Sequence, residues 1–131
     1  MLNKKTNVGI IGLGFVGSAM LVTVSNASFK GKSIFNTIGI DSDNANGNKI
    51  IKSINLGKFP YLSKDKTLSR SLHKSVKLKN ARATNRIQEI ASCDIIILDI
   101  NLDIKHKKGI YDVNFKNFND CIKNILNGIK K

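Results

Sequence analysis

Long apolar runs, paired cysteines, prolines and acids are all scarce in this sequence, and each scarcity removes a class of protein. No stretch approaches the roughly 20 apolar residues that span a bilayer, and residues 1–6 lead into a glycine-rich turn instead of a signal-peptide core. A soluble cytoplasmic chain without a membrane partner is expected. The two cysteines, Cys93 and Cys121, stand apart, in no C-x-x-C or metal-ligand spacing. They read as buried or half-buried thiols of a reducing compartment, so neither a disulfide framework nor a metal site is expected. A single proline, 6% aromatic and 41% hydrophobic residues are ordinary for a soluble α/β protein and exclude disorder. At 131 residues there is room for one domain with its own core and no second.

Acids are outnumbered, with 9 Asp+Glu against 22 Lys+Arg and a net charge of +13. Such a balance can mean a polyanion partner. Here lysine dominates and is spread along the chain, with no Gly/aromatic RNA-binding signature and no basic helix of regular spacing. The sequence is rich throughout in Lys, Asn and Ile, a bias that AT-rich codon usage alone produces, and no nucleic-acid partner is expected.

What is present is an unbroken apolar run, Val8-Gly9-Ile10-Ile11, entering Gly12-Leu13-Gly14-Phe15-Val16-Gly17 and leaving into Ser18-Ala19-Met20-Leu21-Val22. This predicts strand, G-x-G-x-x-G loop and helix. Gly12 permits a sharp turn, Gly14 leaves no Cβ between backbone and a pyrophosphate, and Gly17 allows close packing of the helix. The helix N-terminus, with its free N–H groups and macrodipole, favours the negative charge. Asp41 follows 24 positions after Gly17, near the roughly 20 expected for the acid that accepts hydrogen bonds from the adenosine ribose. A carboxylate there repels a 2′-phosphate, which favours NAD over NADP. The competing role for Asp41 is to start a turn or cap the next helix. Lys49 and Lys52 are near enough to soften the discrimination.

In chain order the patterns predict strands over 7–11, 34–40, 76–83 and 94–100, and helices over 15–27, 49–55, 64–73 and 84–91, with a last one over 114–129. This final helix carries Phe115, Phe118, Cys121, Ile122, Ile125 and Leu126 on one broad face. Segments 28–33 and 101–109 read as polar loops, with the lysines of the second solvated or, alternatively, phosphate-binding. His106 is expected to be exposed, and His73 has no partner acid or nucleophile in reach. Alternation of buried strands and helices gives a Rossmann-type parallel α/β sheet of order 3-2-1-4 with helices on both faces. A cofactor then lies across the carboxyl ends of the first, second and fourth strands.

The 8–17 segment resembles the amino-terminal NAD-binding domain of nucleotide-sugar dehydrogenases of the UDP-glucose/GDP-mannose type. So do Gly39-Ile40-Asp41, the block Ile54-Asn55-Leu56-Gly57-Lys58-Phe59-Pro60, Ala83-Thr84 and Asp94-Ile95-Ile96-Ile97. The block and the Ala-Thr pair are more telling than the glycines, and the resemblance covers nearly the whole of 1–131. It implies NAD as cofactor, held by Gly12, Leu13, Gly14, Phe15, Val16, Gly17, Asp41 and Ile100. It also implies a full-length enzyme that oxidises the C6 alcohol of a nucleotide sugar to a carboxylate for polysaccharide precursors, through a thiohemiacetal on a cysteine in a Gly-Gly-x-Cys-x-Pro setting. Neither Cys93 nor Cys121 matches that setting. The chain is therefore expected to lack substrate and catalytic domains, as a truncated form or a fragment gene, to hold no catalytic residue and not to turn over alone. Where the family has Val-Pro-Thr-Pro this chain has Ile100-Asn101-Leu102-Asp103, so the threonine contact is not carried over; Lys49 is the nearest candidate for a basic residue that often follows the acid. An unpaired fourth-strand edge makes a homo-oligomer possible. The rival readings are another NAD enzyme such as a 3-hydroxy-acid dehydrogenase, a non-catalytic nucleotide-binding module, and a basic nucleic-acid binder.

Overall fold

The computed structural model describes residues 4–129; the first three residues of the polar lead-in and the last two lysines lie outside it. Four parallel strands make the central sheet: β1 (Thr6–Ile11), β4 (Phe35–Ile40), β5 (Ala81–Thr84) and β6 (Ile95–Leu98). Their order is β5-β4-β1-β6. Counted among the sheet's own strands this is 3-2-1-4; the labels differ because a short hairpin, β2 (Ser28–Phe29) and β3 (Lys32–Ser33), intervenes. Val8 registers with Thr37 on one side and Ile95 on the other, so β1 is central and its apolar residues are covered on both faces. Val8 and Ile10 face a core shared with α1 (Phe15–Asn26), α2 (Ala45–Asn55) and α3 (Lys66–Lys77). Ile11, Ile38 and Ile40 face a second core closed by Ile90 of a 3-10 helix (Ile87–Ser92) and Ile125 of α4 (Lys116–Ile129). Among the described residues no helix is long and apolar enough to cross a membrane.

Several boundaries differ from expectation. Asn44 caps α2 by accepting from the Gly47 N–H at 2.8 Å, starting that helix at Ala45 instead of 49. Asp65 caps α3 through the Thr67 N–H at 2.8 Å, and the helix runs on through Val76. Leu68, Leu72 and Val76 recur every fourth residue on the core face, so helical period overrides the strand preference of Val76 and the third strand is confined to Ala81–Thr84. The expected helix over 84–91 is only the 3-10 segment, and the fourth strand is limited to Ile95–Leu98. The two polar loops are hairpins. Lys30-Gly31 and Lys108-Gly109 all have positive φ, the two-residue turn that matches strand twist, and the second joins β7 (Asp103–Lys107) to β8 (Ile110–Asn114). Helix α4 starts after Phe115 and buries a narrower face than expected, Ile125 and Gly128, with Phe115 and Leu126 half exposed.

Asn55 explains part of the telling block. Its Oδ1 accepts from the Ala83 N–H at 2.8 Å and its Nδ2 donates to the Ala83 carbonyl at 2.9 Å, so a side-chain amide stands in for the next strand at the β5 edge. Gly57, at φ 70, then ends the helix, its N–H donating to the Ile54 carbonyl. Asn55→Ala strands both backbone groups of Ala83 and is expected to cost about 1–3 kcal/mol in urea denaturation. An unchanged midpoint would show that water replaces the amide.

Candidate functional site

The β1–α1 junction projects from the carboxyl end of the sheet. Gly12 has φ 94, and a Cβ there would lie 1.9 Å from the Asp99 carbonyl oxygen. A Cβ on Gly17 would lie 1.9 Å from the Gly12 carbonyl oxygen. These two glycines let loop, helix and β6 close on one another. Gly14 is different: it is exposed, its φ of −59 suits any residue, and a Cβ would meet nothing within 4 Å. Its bare side faces open space at the start of α1, a helix without a capping side chain or an acid in its first turn. The first-turn N–H groups of such a helix have no intrahelical acceptor and attract anions.

Asp41, at the end of β4, is tied to this loop. Its Oδ2 accepts from the Leu13 N–H at 3.1 Å and its Oδ1 from the Ser42 N–H at 2.7 Å. A carboxylate has about four acceptor positions, so two remain for a diol. The roles weighed against ribose binding are to start a turn or to cap the next helix: the cap belongs to Asn44, while the Ser42 N–H contact keeps Asp41 at the start of the turn.

The peptide group after Leu13 is held as well. Its carbonyl accepts from the Tyr61 hydroxyl at 2.7 Å and from Ser18 Oγ at 3.0 Å. Tyr61 packs with Phe15 and Phe59 in an aromatic trio with centroids 5.5–6.1 Å apart. Burial raises the Tyr61 hydroxyl above the usual tyrosine range, and the Asp41 carboxylate adds to the rise, so the hydroxyl remains a donor at neutral pH. Sequence reasoning missed this residue, because a tyrosine 48 positions after Leu13 has no spacing signature; its place just beyond Pro60 was the available hint.

The groove over the glycine loop has a volume of about 520 Å³ and is lined by Gly12, Leu13, Gly14, Phe15, Val16, Asp41, Ser42, Asp99, Ile100 and Asn101. Seven of the eight residues picked out from sequence line it; the eighth, Gly17, is buried beneath the loop. A second arm of about 410 Å³ shares Gly12, Asp41, Ser42, Ile100 and Asn101 and continues past Asn85 to Asp120, Cys121 and Asn124 of α4. Lys49 lies on the exposed side of α2 and lines neither arm. Lys105, Lys107 and Lys108 are exposed on the β7–β8 hairpin, outside both arms, and His106 stacks there on Tyr111 at 4.8 Å. His73 packs against Gly57.

Burial raises the thiols of Cys93 and Cys121 above the ordinary cysteine range. For Cys93, Asp94 and Glu89 add to the rise, while Arg82 and a Ser92 hydrogen bond oppose it. Neither is poised as a thiolate at neutral pH.

A bare glycine at a helix N-terminus, facing a groove with a carboxylate on its wall, fits a dinucleotide's pyrophosphate and ribose. Comparison with known proteins agrees. In fold, the chain is similar to the NDP-N-acetyl-D-galactosaminuronic acid dehydrogenase of Methanosarcina mazei Go1 (TM-score 0.78, 21% identity, 94% of this chain and 25% of that one). It is similar also to the GDP-mannose dehydrogenase of Pseudomonas aeruginosa in a ternary complex (0.71, 22%, 90% and 24%). A third similar structure is a UDP-glucose dehydrogenase from the hyperthermophilic archaeon Pyrobaculum islandicum (0.74, 14%, 97% and 26%). The chain thus spans about a quarter of the length of each of these structures. Among curated proteins, none matches it. The sequence profile of the UDP-glucose/GDP-mannose dehydrogenase family, NAD binding domain, matches residues 6–131. The chain belongs to that family, and its cofactor is NAD.

Proposed function

We propose that this chain is the NAD-binding domain of a UDP-sugar 6-dehydrogenase, serving oxidation of the sugar C6 alcohol to a carboxylate for polysaccharide precursor synthesis in the cytoplasm. The observation that carries the reading is Gly14, whose side-chain position is empty space over the groove. In this reading the pyrophosphate rests on the backbone of residues 12–17, with Leu13, Phe15 and Val16 at its edges. Asp41 takes the adenosine ribose hydroxyls on its free acceptor positions. Ile100 supplies an apolar wall where the two arms of the cleft meet.

NAD, when bound, supplies a hydride acceptor. The chain's own residues hold and orient it: Tyr61 and Ser18 fix the Leu13 carbonyl, Asp41 fixes the Leu13 N–H, and the loop meets its ligand already shaped. Neither thiol here is activated, so the sugar chemistry is assigned to residues outside these 131, and the isolated chain is expected to bind cofactor without turning over a nucleotide sugar. The open edge of β6, where Ile95 is exposed, is the surface through which copies of the chain would pair.

The test is titration calorimetry with NAD and NADP on the chain and on Asp41→Asn. The native chain is expected to prefer NAD. The variant keeps the size of the side chain but loses its charge and, since an amide NH2 cannot accept, one of its two backbone contacts. It is expected to bind NAD at least about tenfold more weakly and to lose most of the preference, as charge-assisted hydrogen bonds of about 1.5–3 kcal/mol imply. A native chain that binds NADP equally well or better would refute the role given to Asp41.

A further inference from the structure

Asp99 stands one residue beyond β6, and its Oδ2 lies 3.0 Å from the position a Gly17 Cβ would take. The carboxylate is therefore packed against the first turn of α1. It is half-buried, lines the groove over the glycine loop and makes no hydrogen bond or ion pair among the described residues. The surrounding charge sharpens the point. The chain carries a net charge of +13, yet among the described residues no Lys or Arg lines either arm of the cleft, whereas Asp41, Asp43, Asp99 and Asp120 do.

We propose that Asp99 is a specificity-determining residue, a built-in anion that occupies the field of the α1 N-terminus and weakens the hold on pyrophosphate. The inference rests on the reading of this groove as the pyrophosphate site. An acid beside the start of a helix is stabilised by the macrodipole. A phosphate entering the same field is stabilised by the same N–H groups but repelled by the carboxylate, in a partly desolvated setting where the repulsion is not fully screened. No lysine or arginine among the described residues lines the groove wall to offset it, so the diphosphate is held less tightly than the bare loop and helix N-terminus would hold it. Asp99 thus has opposite effects on the free fold and on the complex.

The test is calorimetric titration of NAD and of adenosine against the native chain, Asp99→Asn and Asp99→Ala, each also melted without ligand. Asp99→Asn is expected to tighten NAD about tenfold, to leave adenosine affinity unchanged and to lower the melting temperature of the free chain. The NAD gap between native and variant is expected to shrink as salt is raised. A merely structural role would weaken NAD and stability together. NAD affinity that is unchanged or lower in the variants, with adenosine still bound, overturns the proposal while leaving the groove's function in place. Loss of both NAD and adenosine binding in all three proteins overturns the reading of the groove itself. Asp99→Ala decides the question if the asparagine variant does not fold.

Discussion

Gly14→Val is expected to abolish NAD binding while leaving the protein folded. The residue is exposed, its φ of −59 is one that valine adopts, and its Cβ would touch nothing within 4 Å. The fold therefore has no use for a glycine here beyond helix capping, and a valine in the cap position costs about 1 kcal/mol. A ligand does have a use for it. Phosphate oxygens must come within about 3 Å of backbone N–H groups to be bound, and the branched side chain fills that approach. Loss of affinity of about a hundredfold or more is expected by calorimetry, with a circular-dichroism melt close to the native one. Retained affinity would mean that the loop is not the phosphate site.

Gly17→Ala has the reverse signature: the damage falls on folding. The added methyl would sit 1.9 Å from the Gly12 carbonyl oxygen, and next to the Asp99 carboxylate. The carbonyl oxygen has no room to retreat, because Gly12 itself abuts the Asp99 backbone. Relief requires moving α1 away from the β1 loop and opening the core around Leu21 and Val22. Overpacking costs typically about 1–3 kcal/mol where side chains can adjust. Against rigid backbone the expected cost is about 4 kcal/mol or more, most of the stability of a small domain. Urea denaturation is expected to show little or no folded baseline. A cooperative transition near the native midpoint would show that the helix has slack. The motif is thus expected to divide its labour, with two glycines serving the fold and one the ligand.

The motif and the separate roles of its glycines were legible from spacing, and the close backbone approaches at Gly12 and Gly17 are as expected. The apolar run of β1, the glycines between β1 and α1 and the apolar run of β6 made the parallel sheet and the groove legible, since burial on both faces leaves a central strand such as β1 few polar positions. Asp41 was legible because it stands just past the end of the strand that follows the first helix, a position the short β2–β3 hairpin shifts by only a few residues. Val76 was misread because short apolar segments carry both periods, and only the contact with Leu72 on α3 chooses between them. The two hairpins were hidden by polar composition, although Lys30-Gly31 and Lys108-Gly109 are turn pairs of the kind that close two-residue hairpins. Tyr61 and Asp99 were invisible as site residues because tertiary packing alone brings them to Leu13 and Gly17. The charge excess also needed the structure. The lysines of the 101–109 segment are exposed on their hairpin, while the charged residues of the cleft among the described residues are the acids Asp41, Asp43, Asp99 and Asp120, which disfavours a polyanion there.

Whether NAD binds in the groove between the glycine loop and Asp41 is tested most directly by residue-resolved amide NMR of the chain titrated with NAD. Saturable shifts are expected at Gly12, Leu13, Gly14, Phe15, Val16 and Gly17, and at Asp41 and Ile100, with the β7–β8 hairpin unmoved. Saturable shifts confined to the hairpin or to the opposite end of the sheet, or no saturable shift at millimolar NAD, would contradict binding in the groove.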